Sequence, residues 1–157
     1  MEQFYIERLA PKDLEQILKL EHHDPFSVLG LHYAGDAMDK LAVRGVFPGC
    51  REASVLVEGQ SFPMRRVPNT DFFEAIFPDR SEFFKYEFKV MDKAGKLRQF
   101  ADPYCFWPVL GELDLHLYSQ GNHYLVYEKF GAHCLRHQGM DGVHFAVWAP
   151  NARRVSV

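Results

Sequence analysis

Phe84-Lys85-Tyr86-Glu87-Phe88-Lys89-Val90-Met91, continued by Asp92-Lys93-Ala94-Gly95-Lys96 and Leu97-Arg98-Gln99-Phe100-Ala101, is the stretch that decides the fold. Phe84, Tyr86, Phe88 and Val90 alternate with Lys85, Glu87 and Lys89, which is the two-residue period of a strand with one buried and one wet face. The polar stretch that follows carries Gly95, able to take a positive φ, so the two apolar runs pair as a hairpin. Outward from it, Leu41–Phe47, Ala53–Val57 and Phe72–Phe77 are further short apolar or alternating runs, separated by Pro, Gly, Asn and Asp. Five short strands in about 60 residues predict an all-β fold, a β-sandwich of immunoglobulin-like type.

Ahead of the strands, Leu14, Ile17, Leu18 and Glu21 fall at helical spacing, with Pro11 suited to a first turn and Asp13 near the positive end of the dipole. This predicts a short amphipathic helix over Pro11–Leu20. His22-His23-Asp24-Pro25-Phe26-Ser27-Val28-Leu29-Gly30 predicts a compact corner, with Asp24 capping a single turn that Pro25 starts and Gly30 stops. Beyond the hairpin, Asp102-Pro103-Tyr104-Cys105-Phe106-Trp107-Pro108 contains two prolines and is an aromatic loop. Gly111 to Gly131 carries mixed signals, with Leu113, Leu115 and Leu117 alternating and Tyr124, Tyr127 and Phe130 spaced as on a helix, so short helical pieces are expected. At Gly142 a new alternation sets Val143, Phe145 and Val147 against His144, Ala146 and Trp148. Both the Leu41 and Val143 segments read as the opening strand of a sandwich, although no internal repeat is evident by identity alone. The expected organisation is residues 1–30 as helix and capped turn, 31–110 as the sandwich, 111–139 as a connector, and 140–157 as the truncated start of a second sandwich. A two-stranded hairpin is marginal alone, so further strands are expected after Val157.

Composition narrows the function classes. Of 157 residues 47% are apolar and 15% aromatic, enough for a packed core. A net charge of −3 without clustered Lys or Arg argues against a nucleic-acid partner. No apolar run has the length of a signal peptide or a membrane span, so neither membrane insertion nor that route of secretion is expected. Cys50, Cys105 and Cys134 are odd in number and lack a CxxC pair, which speaks against a disulfide framework or zinc site and for a reducing cytoplasm.

Adjacent side chains of His22-His23-Asp24 point apart on a turn and no further ligand stands at a characteristic spacing, so capping is preferred to metal binding; Cys134 and His137 lack a second pair. There is no GxSxG elbow, no partnered cysteine and no phosphate loop. No catalytic residue, metal site or cofactor is therefore expected. The aromatic loop is the candidate surface: flat rings of Tyr104 and Trp107 can stack on the apolar faces of sugars, while the competing reading has the same rings plug the sandwich or dock on a neighbouring domain. Trp148, in a strand, reads as packing.

His23-Asp24-Pro25-Phe26-Ser27-Val28-Leu29-Gly30, Asp102-Pro103-Tyr104, Gly111-Glu112-Leu113-Asp114-Leu115, Gly121-Asn122-His123-Tyr124, Tyr127-Glu128-Lys129-Phe130-Gly131-Ala132-His133 and Gly142-Val143-His144-Phe145-Ala146-Val147-Trp148-Ala149-Pro150-Asn151-Ala152 occur in this order. Together they resemble the amino-terminal region of bacterial glycogen branching enzymes. The last motif resembles one shared with debranching enzymes and trehalohydrolases; the two before it narrow the resemblance to branching enzymes with an extra N-terminal sandwich. The resemblance implies a parent that cuts an α-1,4-glucan and transfers the piece to a 6-hydroxyl, using an Asp nucleophile and a Glu acid/base in a (β/α)₈ barrel absent from this chain. It also implies an accessory, non-catalytic role here, with α-glucan (glycogen, maltooligosaccharides) and the parent's own catalytic domain as partners. A purely structural packing module and a free-standing glycogen-binding module are the alternatives.

Overall fold

The computed structural model describes residues 9–34, 40–106, 108–153 and 155–156. The chain divides into two compact units, residues 1–105 and 106–157.

In the first unit, helix α1 (Pro11–Lys19) is followed by a single 3-10 turn (Pro25–Ser27). The strands are β1 (Gly30–Ala34), β2 (Lys40–Val46), β3 (Cys50–Val57), β4 (Gln60–Pro63), β5 (Arg65–Arg66), β6 (Phe72–Phe77), β7 (Glu87–Asp92) and β8 (Leu97–Ala101). They form two antiparallel four-stranded sheets, in the orders β1-β2-β6-β5 and β4-β3-β7-β8. Leu41, Val43, Phe73 and Phe77 from one sheet meet Val55, Val57, Phe88 and Val90 from the other in the main core. An all-β sandwich with a short helix is therefore what the chain builds. A second, smaller core lies outside the first sheet, where Ile17 of α1, Val28 and Leu29 pack with Phe72. Being covered on both faces, β2 reads as the continuous apolar run Leu41-Ala42-Val43, as doubly buried strands do.

The deciding hairpin pairs as expected, Phe88 opposite Phe100 and Met91 opposite Leu97. Its loop is tied by the Asp92 carboxylate, whose Oδ1 accepts the N–H groups of Ala94 (2.8 Å) and Lys96 (2.9 Å), and Gly95 takes φ +82°. The strand expected from Phe84 begins at Glu87 instead, because its neighbour's last partner is Leu56, opposite Glu87. Phe84 and Tyr86 nevertheless keep the inward alternation. The Asp24 cap is corrected too: its side chain makes no capping bond, and its backbone carbonyl instead accepts the Ser27 hydroxyl at 2.8 Å. Strands β1, β4 and β5 lacked a sequence signal.

The second unit holds helix α2 (Glu112–Ser119), a 3-10 turn (Val126–Glu128) and a hairpin of β9 (Gly131–His137) and β10 (Met140–Ala146). Strand β9 lies within the stretch read as a connector. Its entry repeats the entry to β1. In both, a 3-10 turn leads to a glycine of positive φ, +93° at Gly30 and +108° at Gly131. A histidine two residues on then donates a ring N–H to the carbonyl before the glycine: His32 to Leu29 at 2.8 Å and His133 to Phe130 at 2.9 Å. The repeat hidden from identity is thus carried by backbone conformation.

Candidate functional site

Asp102 anchors the loop that carries Tyr104. Its side chain is 1% exposed at the end of β8. One carboxylate oxygen accepts the Tyr86 hydroxyl, and the other accepts the Tyr104 N–H at 2.8 Å, starting the turn Pro103–Cys105. Burial raises the Asp102 carboxyl above its usual range, while its two donors, the Tyr86 hydroxyl first, partly offset the shift. Burial and the Asp102 charge push the Tyr86 phenol up, so it stays protonated as the donor. Burial, with the Asp102 charge acting in the same sense, raises the Cys105 thiol, the opposite of what an attacking thiolate needs.

Two motifs far apart in sequence close on one another here. Gly30 lies so near the loop that a Cβ built on it would stand 3.1 Å from Tyr104 Cβ and 3.2 Å from the Tyr104 carbonyl oxygen. The Tyr104 ring meets Phe26 edge to face, centroids 4.9 Å apart. Tyr104 therefore does two jobs: one side packs on the small core and the other lines a cleft of about 520 Å³. That volume lies in the range of small-ligand sites. Its floor is Gly45, Val46, Phe47 and Phe88; Leu20 and His22 stand on one side, and Arg98 and Phe100 on the other. The walls are apolar with few polar groups, an arrangement suited to holding a flat, partly apolar ligand.

Of the expected sugar contacts, Tyr104 lies in this cleft, and Trp107 lies outside the described residues. Phe106, from the same loop, belongs to the second unit, its ring 6.4 Å from that of His137. Arg98, Phe100 and Phe47 were not singled out from sequence; inward alternation next to the Asp-Pro-Tyr loop was the available signal. His22 is engaged locally, its Nδ1 accepting the Asp24 N–H at 3.1 Å and its Nε2 lying 3.6 Å from Asp13. Cys134 and His137 are three apart on β9, on opposite faces of that strand.

In the second unit, Asp114 joins three of the quoted motifs. Its carboxylate accepts the Gly111 N–H at 3.0 Å, meets His123 Nε2 at 2.8 Å and lies 3.6 Å from Lys129 Nζ. The Gly111 N–H first, then His123, hold its carboxyl below the usual range. The cluster fastens α2 to the turn before β9. Among the described residues the only buried carboxylates of the chain are Glu74, held by Arg44 at 2.8 Å, and Asp102. Both are committed to structural partners.

A family model described as the N-terminal domain of alpha-1,4-glucan branching enzyme GlgB matches residues 10–104, ending one residue before the first unit does. The chain is similar to the 1,4-alpha-glucan branching enzyme GlgB of Thermosynechococcus vestitus, 42% identical over 153 residues, 95% of this chain and 20% of that protein. The protein of the same name from Cellvibrio japonicus is 40% identical over 156 residues, 96% of this chain and 21% of its own length. That of Cereibacter sphaeroides is 41% identical over 153 residues, 96% and 20%. The chain spans about a fifth of the length of the curated relatives it matches.

Proposed function

This chain belongs to the family of GlgB N-terminal domains, and from that premise we propose that it is a non-catalytic module that holds α-glucan for a protein that builds α-1,6 branches. The whole protein, on this reading, cuts an α-1,4-glucan and joins the piece to a 6-hydroxyl in the cytoplasm. Such double displacement needs a pair of free carboxylates about 5 Å apart. Glu74 and Asp102 are each already bound to structural partners, so the cutting chemistry falls to other parts of the protein.

The observation that carries glucan holding is the Tyr104 cleft, with Phe100 and Phe47 as further apolar walls and Arg98 and His22 to meet hydroxyls. Tyr104 and Trp107 are the proposed sugar contacts, glycogen and maltooligosaccharides the ligands. We further propose that residues 31–110 form the first sandwich and that β10 opens a second one; the shared entry into β1 and β9 supports this and extends that second sandwich back to Gly131. A packing role against the parent's catalytic domain is the second reading, favoured by Tyr104 being half-buried against Phe26 and Gly30.

Titration of the chain with maltoheptaose and glycogen, followed by tryptophan fluorescence, separates them. Saturable binding that is weakened by Trp107→Ala and Phe100→Ala but not by Trp148→Ala supports the glucan site. Absence of binding at millimolar sugar leaves the packing role.

A further inference from the structure

Two large rings lie uncovered at the far end of β2 from the cleft. Tyr33 sits on the edge strand β1 opposite Leu41, and Phe83 on the segment between β6 and β7; they are 41% and 54% exposed. Their centroids are 5.0 Å apart and their planes are inclined by 44°. The cleft is lined by Gly45, Val46 and Phe47, so about five residues of strand, roughly 17 Å, separate the two places.

The pair is held from behind. Leu31, on the same face of β1 as Tyr33, packs on the main core. Phe84 turns inward onto Phe77, centroids 4.9 Å apart, and carries the Arg80 guanidinium 4.8 Å above its ring. With Phe84 fixed inward, Phe83 is left facing solvent. Between them the two rings expose roughly 200 Å², well short of the about 800 Å² per partner of a stable protein interface. The exposed Ser81, Glu82 and Lys85 border them with hydrogen-bonding groups.

We propose that Tyr33 and Phe83 form a second α-glucan platform, on which two consecutive sugars of an α-1,4-linked chain stack. This rests on the reading that the module handles α-glucan. An α-1,4-linked chain curves, so consecutive sugars present apolar faces inclined to each other, as these two ring planes are. The Tyr33 hydroxyl, Glu82 and Lys85 are placed to meet the sugar hydroxyls at the rim. Two weak sites on one module raise its hold on a long or branched glucan above that on a short one.

Amide NMR titration of the 157-residue chain with maltoheptaose reads each place separately. Residues 31–34 and 82–85 report the platform, and residues 98–104 the cleft. The expected result is saturable shifts at the platform, weakened roughly threefold to tenfold by Phe83→Ala or Tyr33→Ala and largely kept by Tyr33→Phe. The thermal midpoint should hold, because both rings are half-exposed. Shifts confined to residues 98–104 would overturn the platform and leave the proposed cleft standing; shifts confined to the platform would support it and move the glucan away from Tyr104. No shift anywhere would overturn both. Lost binding matched by a lowered midpoint in Phe83→Ala and Tyr33→Phe alike would assign the rings to the core and overturn the platform.

Discussion

Gly30→Ala tests the contact between the two motifs most directly. At φ +93° an added Cβ meets backbone strain of about 1–2 kcal/mol. It also meets the Tyr104 Cβ at 3.1 Å and the Tyr104 carbonyl oxygen at 3.2 Å. The carbonyl oxygen is backbone and cannot swing aside, and the loop is tied by the Asp102–Tyr104 bond, so crowding adds about 1–3 kcal/mol. Gly49→Ala is the matched control: its φ is +74° and nothing lies within 4 Å of the added carbon. Both substitutions share the strain and the lowered entropy of the unfolded chain; only Gly30→Ala has the crowding. Thermal unfolding followed by circular dichroism should therefore show Gly30→Ala melting below Gly49→Ala by about 5 °C or more, since 1 kcal/mol moves a domain of this size by ~4–8 °C. Equal midpoints would refute the close approach of Tyr104 to Gly30.

Breaking the buried Arg44–Glu74 pair by Arg44→Met should cost about 3–5 kcal/mol in urea unfolding, because a buried carboxylate loses its cation; Arg44→Met with Glu74→Leu should recover most of that loss, and a double variant as weak as the single would contradict the account. Burial holds the His32 ring below its usual 6.5, with the Leu29 carbonyl partly offsetting it. A lowered folded value means that the unfolded chain binds the proton more readily, so this contribution to stability is present above 6.5 and lost as pH falls below it. His32→Gln, which can still donate to Leu29, should flatten the loss measured by unfolding at a series of pH values; an unchanged slope would remove His32 as its source.

Legibility followed the range of the interactions. The hairpin of residues 84–101 could be read because its alternation and its turn are both local. Helix α1 could be read because Leu14, Ile17 and Leu18 mark its packed side. Strands β4 and β5 are short and mostly exposed, so burial left no pattern in them. The hairpin joining β3 to β4 depends on Glu58 and Gly59 both at positive φ, a turn that Glu does not advertise. The β9 strand was obscured because its apolar residues share it with His133, Arg136 and His137. For the site, Asp-Pro-Tyr could be seen as a motif, whereas the cleft it lines could not.

By itself the sequence determined the all-β class, the N-terminal helix, the central hairpin and the family, since these rest on spacing along the chain. Tertiary structure alone decided that Asp102 is an anchor for Tyr86 and Tyr104, that Gly30 is a point of closest approach, and that Phe100 and Arg98 stand beside Tyr104. It also decided that Tyr33 and Phe83, 50 positions apart, share one surface. Each of these is a meeting of segments separated by tens of residues, and the physical quantity that brings them together, burial of two cores on either side of one sheet, belongs to no single stretch.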